Sequence, residues 1–316
     1  MEGLFINPEK SKQVAVILFE KFNSDEGIFG HNVMPEDLRP KLGSNLSASN
    51  VEKGSYENLM FITLVVSIDY QRNADQLWEA GRRTFEDERT RWLFYPNEVI
   101  KKSSMIVEAM KAHRLSEKPK KDAGIWFKVS KSLFEVYDSN PKSLIRECND
   151  DALIIFNKKF DLRFKKLFPY LSGDKIFPLW IRMLHDNVGI DLKNLGKIPI
   201  PVDVHIARAT FTTGCLTGKY KGTISHVKDK IDEAWKRTLE FVQHPKLAYR
   251  LQLDEPLWHL SKYGCTSRTR NFCPKRRACP VSQFCANGLV NVSATEVEIN
   301  TGESNEKASL GNFMFK

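Results

Sequence analysis

The sequence contains no long hydrophobic run and no internal repeat. Its most apolar stretch, residues 59–68 of 316, has the length of a buried helix. A helix that crosses a bilayer needs about 20 apolar residues. The first five residues also lack the charged start and apolar core of a secretory signal. We therefore expect a protein without a membrane partner, in the reducing environment of the cytoplasm.

The alternation of apolar and polar residues that marks strands is nearly absent, whereas apolar residues recur at helical spacing. The sequence therefore predicts an all-α fold. Predicted helices cover residues 8–23, 55–67, 73–85, 96–113, 122–137, 141–149, 151–168, 204–213, 225–243 and 246–262, with two helices flanking Gly173. Residues 24–54 carry Gly, Pro, Asn and Ser and are expected to be an irregular connection. The polar residues after Asn287 predict a disordered tail.

Acidic residues are absent between Glu255 and Glu296, although the chain as a whole carries both charges and a formal net charge of +9. The basic residues of this stretch are Lys262, Arg268, Arg270, Lys275, Arg276 and Arg277. Such a segment suits contact with phosphates, and a solvated loop with a chance bias is the alternative. Arg276 and Arg277 are the residues we expect to contact DNA.

Cysteine is scarce but concentrated. Four of the six cysteines fall within 21 residues, at Cys265, Cys273, Cys279 and Cys285. In a reducing compartment such a set binds metal more often than it forms disulfides. Zinc and an iron–sulfur cluster both use four thiolates, although the closely spaced cysteine pairs typical of zinc ribbons are missing. Cys148 and Cys215 are expected to be ordinary buried residues.

The segment from Phe168 to Thr213 reads as helix, turn, helix, loop and helix. Gly173 allows a tight turn between two helices, and the second helix offers free N–H groups that can bind phosphate. Asp203 stands just before the last helix, where a helix cap is a common use of aspartate. Lys175 could likewise be a simple phosphate contact. Without further evidence, these residues indicate first of all a helix–turn–helix pair of the kind found in any all-α protein.

Two motifs of this segment together carry a resemblance. Ser172-Gly-Asp-Lys175 followed by Val202-Asp-Val-His-Ile-Ala-Arg208 resembles the signature of helix-hairpin-helix DNA glycosylases similar to endonuclease III. The resemblance implies that Lys175 is the amine that forms a Schiff base and that Asp203 is the catalytic aspartate. A carboxylate can stabilise the sugar cation, and an amine can attack C1′. Gly173 would contact the DNA backbone.

The resemblance continues on both sides of these motifs. Residues 64–71 resemble the family's early helix and the loop that probes the DNA stack, which is formed here by Asp69, Tyr70 and Gln71. A glycosylase must fill the gap left by the flipped base, and we expect Tyr70 or Gln71 to do so, since Asp69 would be repelled by phosphates. Residues 256–265 resemble the helix that delivers the first cluster cysteine, which implies a [4Fe–4S] cluster on the four cysteines, with zinc as the alternative.

The sequence also departs from the family pattern. The usual Leu-Pro-Gly-x-Gly hairpin is Pro169-Tyr-Leu-Ser-Gly173, and the interval from Lys175 to Asp203 is longer than in endonuclease III. This longer interval and its Ile-Pro-Ile-Pro-Val-Asp-Val lead-in are similar to archaeal 8-oxoguanine DNA glycosylases. The cysteine loop has a longer middle spacing as well. The excised base therefore stays open among oxidised guanine, oxidised pyrimidine and a hypermodified base of foreign DNA.

The expected protein is a nucleoid-associated, monomeric DNA glycosylase with lyase activity that acts on duplex DNA with a flipped base. Its predicted organisation is an N-terminal segment (1–54) packed with the C-terminal domain, a helical barrel domain (55–200), a C-terminal helical and iron–sulfur domain (201–286) and a tail (287–316). Two alternatives use the same scaffold. One is a non-catalytic DNA-binding clamp, and the other is a glycosylase acting on RNA or a nucleoside.

Overall fold

The computed structural model describes residues 3–30, 33–43 and 49–302, and this part of the chain is mostly helical. The α-helices are α1 (Pro8–Asn23), α2 (Tyr56–Val66), α3 (Ala74–Glu86), α4 (Pro96–Lys101), α5 (Ile106–Ala112), α6 (Pro119–Val136), α7 (Pro141–Glu147), α8 (Ala152–Asn157), α9 (Leu162–Leu167), α10 (Ile176–Asp186), α11 (Val204–Thr212), α12 (Ile224–Glu240) and α13 (Asp254–Tyr263). The strands are β1 (Leu4–Ile6), β2 (Lys41–Leu42), β3 (Ser49–Asn50), β4 (Leu216–Gly222), β5 (Gly288–Val292) and β6 (Val297–Thr301). The prediction of a mainly helical protein is confirmed. Among the residues described, no helix has both the length and the apolar character needed to cross a membrane.

The chain forms two compact units, which we call the terminal unit (residues 1–32 and 202–316, where described) and the central unit (residues 33–201, where described). The predicted division after residue 54 therefore lies at residue 32. Two side-chain contacts explain the difference. Arg182 of α10 pairs with the buried Glu36, and Asn187 donates a hydrogen bond of 2.8 Å to the Asp37 carboxylate. These contacts hold the segment after residue 32 within the central unit.

The core of the central unit surrounds α2. Nine consecutive residues of this helix, from Asn58 to Val66, are buried. A helix that is apolar on all sides must be surrounded by other elements, and α2 contacts α3, α6, α7 and α10. Its buried Thr63 hydroxyl accepts a hydrogen bond of 3.1 Å from the Trp180 indole on α10. The following residues, Ser67 to Gln71, are thereby fixed at one end of a rigid helix.

The terminal unit combines α1 and α11–α13 with a four-stranded antiparallel sheet in the order β1–β4–β6–β5. The sequence did not predict this sheet. The expectation of a disordered tail from residue 287 is wrong as far as residue 302, because β5 and β6 lie there. Val297, Ile299 and Thr301 are buried and alternate with more exposed residues, which is the period of a strand with one buried face. Residues 303–316 of the predicted tail lie outside the described residues.

Candidate functional site

The turn between α9 and α10 is held by a short series of backbone hydrogen bonds. The Gly173 N–H donates to the Tyr170 carbonyl at 2.9 Å, and the Phe177 N–H donates to the Gly173 carbonyl at 2.9 Å. A Cβ atom at residue 173 would lie only 2.9 Å from the Tyr170 carbonyl oxygen, so the turn requires glycine. Tyr170 adopts a left-handed conformation with a φ of 63°. The predicted turn at Gly173 between two helices is present.

Lys175 immediately precedes α10, at the helix N-terminus. Its ammonium nitrogen lies 3.9 Å from the Asp69 Oδ2 atom, and the two side chains are 32% and 7% exposed, respectively. Asp69 was expected in the loop that meets DNA, but its carboxylate is buried beside this amine. The pair brings a primary amine and a group able to accept its proton to one place in the central unit.

Two tyrosines form an aromatic pair, of which Tyr70 follows Asp69 in the sequence and Tyr170 belongs to the turn before Lys175. The Tyr70 and Tyr170 rings are stacked, with centroids 4.7 Å apart and an interplanar angle of 25°. The Tyr70 hydroxyl donates a 2.6 Å hydrogen bond to Asp122 at the start of α6. Burial, and next this bond to Asp122, raise the pKa of the Tyr70 hydroxyl. Tyr70 is therefore held in place, whereas Tyr170 is 40% exposed.

Exposed lysines surround the aromatic pair. The Lys121 ammonium lies 4.6 Å from both ring centroids, and the Lys118 ammonium lies 5.0 Å from the Tyr70 centroid. Lys118 also donates a 3.3 Å hydrogen bond to the exposed Gln71 side chain. Gln71 has a left-handed φ of 52° at the tip of its turn. Of the two residues predicted to fill the DNA stack, the exposed Gln71 is the accessible one, because Tyr70 is committed to Tyr170 and Asp122.

Sequence reasoning missed Tyr170, Asp122 and the two lysines as part of this group. The signal in the sequence is the basic run from Lys118 to Lys121. Nothing local connects that run to Tyr70, because the contact depends on how α6 packs in the central unit.

Asp203 belongs to the terminal unit, where it caps α11. Its Oδ1 atom accepts hydrogen bonds from the His205 and Ile206 N–H groups at 2.8 and 3.0 Å. The predicted helix cap is thus present, and the half-buried carboxylate is fixed by two donors. The His205 imidazole lies 3.2 Å from the Ser261 hydroxyl and packs against Trp258 at 5.2 Å. These two neighbours on α13 hold the His205 ring in place.

Arg208 follows one turn later on α11. Its guanidinium donates a 2.7 Å hydrogen bond to the Val292 carbonyl of β5. Burial lowers the pKa of Arg208, while the neighbouring Cys265 and the Asp203 carboxylate raise it. This arginine therefore connects the surroundings of Asp203 with the first cysteine of the cluster.

The four clustered cysteines are mutual neighbours in the terminal unit. Burial, and next Cys279, Cys285 and Cys273, raise the pKa of the Cys265 thiol. Burial raises the pKa of the Cys279 thiol to about 12, and Cys285 and Cys273 contribute. Within the described ranges, however, no three histidine, cysteine, aspartate or glutamate side chains converge as metal ligands. The four thiols nevertheless lie near one another.

The surroundings of these thiols fit a metal cluster of negative charge. Burial raises the pKa of the Cys285 thiol, whereas the nearby positive charges of Arg268 and Arg276 lower it. The Val281 N–H bonds to the Cys279 sulfur, and N–H groups directed at sulfur stabilise iron–sulfur clusters. Four thiols with these neighbours fit a [4Fe–4S] cluster and also fit zinc.

The cysteine loop is anchored where it meets the rest of the terminal unit. The Ala278 carbonyl accepts a 3.1 Å hydrogen bond from the Ile28 N–H, and the Ala286 N–H donates to the Thr212 carbonyl at 2.8 Å. Arg276 and Arg277 are exposed, as contact with DNA would require.

The sequence matches no protein-family model and no curated protein. The arrangement of these residues is therefore the basis on which a function can be assigned.

Proposed function

We propose that this chain is a DNA glycosylase with lyase activity, built on the helix-hairpin-helix glycosylase fold, which excises a damaged or modified base from duplex DNA. One observation carries the proposal. A primary amine, Lys175, stands at a helix N-terminus beside the buried Asp69 carboxylate. It follows a glycine turn whose Tyr170 stacks on Tyr70. A nucleophile and a base-sized aromatic surface thus occur in one turn.

Lys175 supplies the chemistry of a lyase in this proposal. The neutral amine attacks C1′ of the sugar and a C–N bond forms, while the glycosidic C–N bond breaks. The base departs with the electrons of that bond and takes up a proton from water. The Asp69 carboxylate, 3.9 Å from the amine, accepts the proton that the attacking nitrogen releases. Opening of the sugar ring gives an imine, and loss of a C2′ proton then expels the 3′ phosphate. A carboxylate beside the nucleophilic amine can accept the proton of the attacking nitrogen and later the proton of C2′.

The aromatic pair and its lysines supply binding to DNA. Stacking of one base on an aromatic side chain contributes about 1–3 kcal/mol, and Tyr170 offers an exposed ring for it. Gln71 at the tip of the neighbouring turn would enter the space left by the flipped base. The ammonium groups of Lys118 and Lys121 would bind phosphates of the DNA backbone beside the aromatic pair.

Asp203 is assigned the second catalytic role. Loss of a base leaves positive charge on the sugar, and a fixed carboxylate stabilises that charge without needing to reorganise. The two N–H groups that hold its Oδ1 atom provide this fixed position. In the terminal unit we also assign a [4Fe–4S] cluster to the four cysteines, with zinc as the alternative. The cluster would order the loop that carries Arg276 and Arg277.

The decisive test is an oligonucleotide panel. Duplexes with oxidised guanine, an oxidised pyrimidine, a hypermodified base or an abasic site, together with RNA and nucleosides, are incubated with the protein and scored before and after alkali. We expect base release from one class of duplex and strand scission without alkali. Lys175→Gln should abolish the adduct trapped by borohydride, whereas Lys166→Gln, which changes an exposed lysine of α9, should not. An adduct that survives in Lys175→Gln would show that another amine is the nucleophile.

A non-catalytic DNA clamp is the second candidate function. It is favoured by the pairing of Lys175 with Asp69, because an ion pair can also serve only to hold the turn in shape. The same panel separates the two functions. Salt-dependent binding to every duplex, with no base release from any of them, would establish the clamp.

A further inference from the structure

A cleft of about 500 Å³ lies in the central unit, between α3 and the segment that follows α5. The helix side is lined by Gln76, Glu79 and Arg83, and the opposite side by His113, Arg114 and Glu117. Arg72 also lines the cleft, immediately after the exposed Gln71 in the sequence. The proposed catalytic residues do not contribute to this lining.

The Arg72 guanidinium is the unusual group of the cleft. Its side chain is only 3% exposed, and one terminal nitrogen donates a 3.0 Å hydrogen bond to the Leu115 carbonyl. Its buried Nε–H has no hydrogen-bond acceptor among the described residues. The nearest carboxylate oxygen, on Glu117, is 4.0 Å away, beyond hydrogen-bond distance. Buried charged donors normally have an acceptor, so this N–H suits an acceptor that comes from a ligand.

Most other charges of the cleft are already paired. Glu79 binds Arg82 and Arg83, and His113 lies 2.9 Å from the Asp87 carboxylate. The exposed Arg114 makes no ion pair with any described residue. What remains is the positive charge of Arg72 and Arg114 against the negative charge of Glu117. The cleft therefore favours an anion.

We propose that this cleft binds a phosphate group, held by the Nε–H of Arg72 and the guanidinium of Arg114. Planar guanidinium groups match the geometry of phosphate oxygens. The Glu117 carboxylate disfavours a dianion more than a monoanion, so the site suits a phosphodiester of a nucleic-acid strand better than free phosphate. The position of Arg72 next to Gln71 agrees with a strand that passes this turn. The site needs only binding, and it stands whether or not the chain releases a base.

Binding of an undamaged duplex and of inorganic phosphate to the full chain tests this inference. Affinity for the duplex is measured over a series of salt concentrations for wild type, Arg72→Lys and Arg114→Ala. Arg146→Ala, which removes an exposed charge of α7 outside the cleft, is the matched control. We expect roughly ten-fold weaker binding in the first two variants. In Arg114→Ala, which loses a charge, the salt slope should fall by about 0.9 for each phosphate no longer neutralised. Arg72→Lys keeps its charge and should keep its slope, and the control should match wild type.

Binding of inorganic phosphate, the second ligand, shows whether the cleft binds a phosphodiester or free phosphate. Inorganic phosphate that binds to wild type, and no longer binds to Arg114→Ala while duplex affinity stays unchanged, assigns the cleft to free phosphate. Unchanged binding of both ligands in Arg114→Ala and Arg72→Lys would overturn the proposal. Losses equal to those of Arg146→Ala would overturn it too, because they would show only a general effect of charge. Arg114 is exposed, so its variant is informative even where Arg72→Lys fails to fold.

Discussion

Replacing Asp203 separates its two roles, because the carboxylate both caps α11 and carries a charge. Asparagine keeps an oxygen that can accept from the His205 and Ile206 N–H groups, whereas alanine does not. Loss of a helix cap costs about 1 kcal/mol. Loss of the negative charge at a helix N-terminus costs about 0.3–1 kcal/mol. We therefore expect Asp203→Asn to be destabilised less than Asp203→Ala.

The rate of base release, in contrast to stability, should fall equally in the two variants. Both variants lack the charge that, in the proposed reaction, would face the sugar cation, and losing such a preorganised group costs on the order of 100-fold in rate. The two variants should thus share one loss of base release while they differ in stability. Single-turnover base release on the active duplex gives the rate, and urea unfolding gives the free energy of unfolding. DNA binding should persist in both variants.

Asp151 offers a matched control for the cap. It caps α8 in the same way, and its Oδ1 atom accepts from the Leu153 and Ile154 N–H groups at 2.8 and 3.3 Å. Asp151 also accepts a 2.6 Å hydrogen bond from the Asn194 amide, so Asp151→Ala should lower stability at least by the loss of a cap and leave base release unchanged. Full base release in Asp203→Asn would refute the catalytic role and reduce Asp203 to a helix cap.

Three other predictions concern the cysteines and the basic loop. Protein purified without air should be brown and contain iron, and zinc without iron would contradict the cluster. Cys279→Ser should give poor soluble yield, because metal binding and folding of the loop are coupled. Replacing Arg276 and Arg277 with glutamate should weaken binding to all DNA sequences alike and flatten its salt dependence, and unchanged affinity at low salt would show that this loop faces away from DNA. Burial raises the pKa of the Cys148 thiol to about 11 from 9.0, so its contribution to stability should be present below about pH 9 and lost as the pH rises to about 11. Between about pH 9 and about pH 11, the free energy of unfolding measured with urea should fall less in Cys148→Ala than in wild type. Equal decreases in both proteins would contradict the raised pKa.

The sequence alone determined features that depend on neighbours within a few residues. Helix periodicity placed α1 at residues 8–23, and the position of Asp203 before an apolar run predicted its helix cap. Gly173 predicted a tight turn between two helices because glycine has no Cβ, and a Cβ at this position would lie 2.9 Å from the Tyr170 carbonyl oxygen. These features follow from steric limits and hydrogen bonds that extend over one helical turn, so a single sequence can reveal them.

Tertiary structure alone decided the contacts between residues that are far apart in the chain. The burial of Asp69 beside Lys175 and the stacking of Tyr70 on Tyr170 depend on how α2 and α10 pack. The strand β6 was hidden for the same reason, since its short polar alternation becomes a strand only when β4 and β5 supply hydrogen-bond partners. A strand or a contact pair needs a partner that no local pattern names.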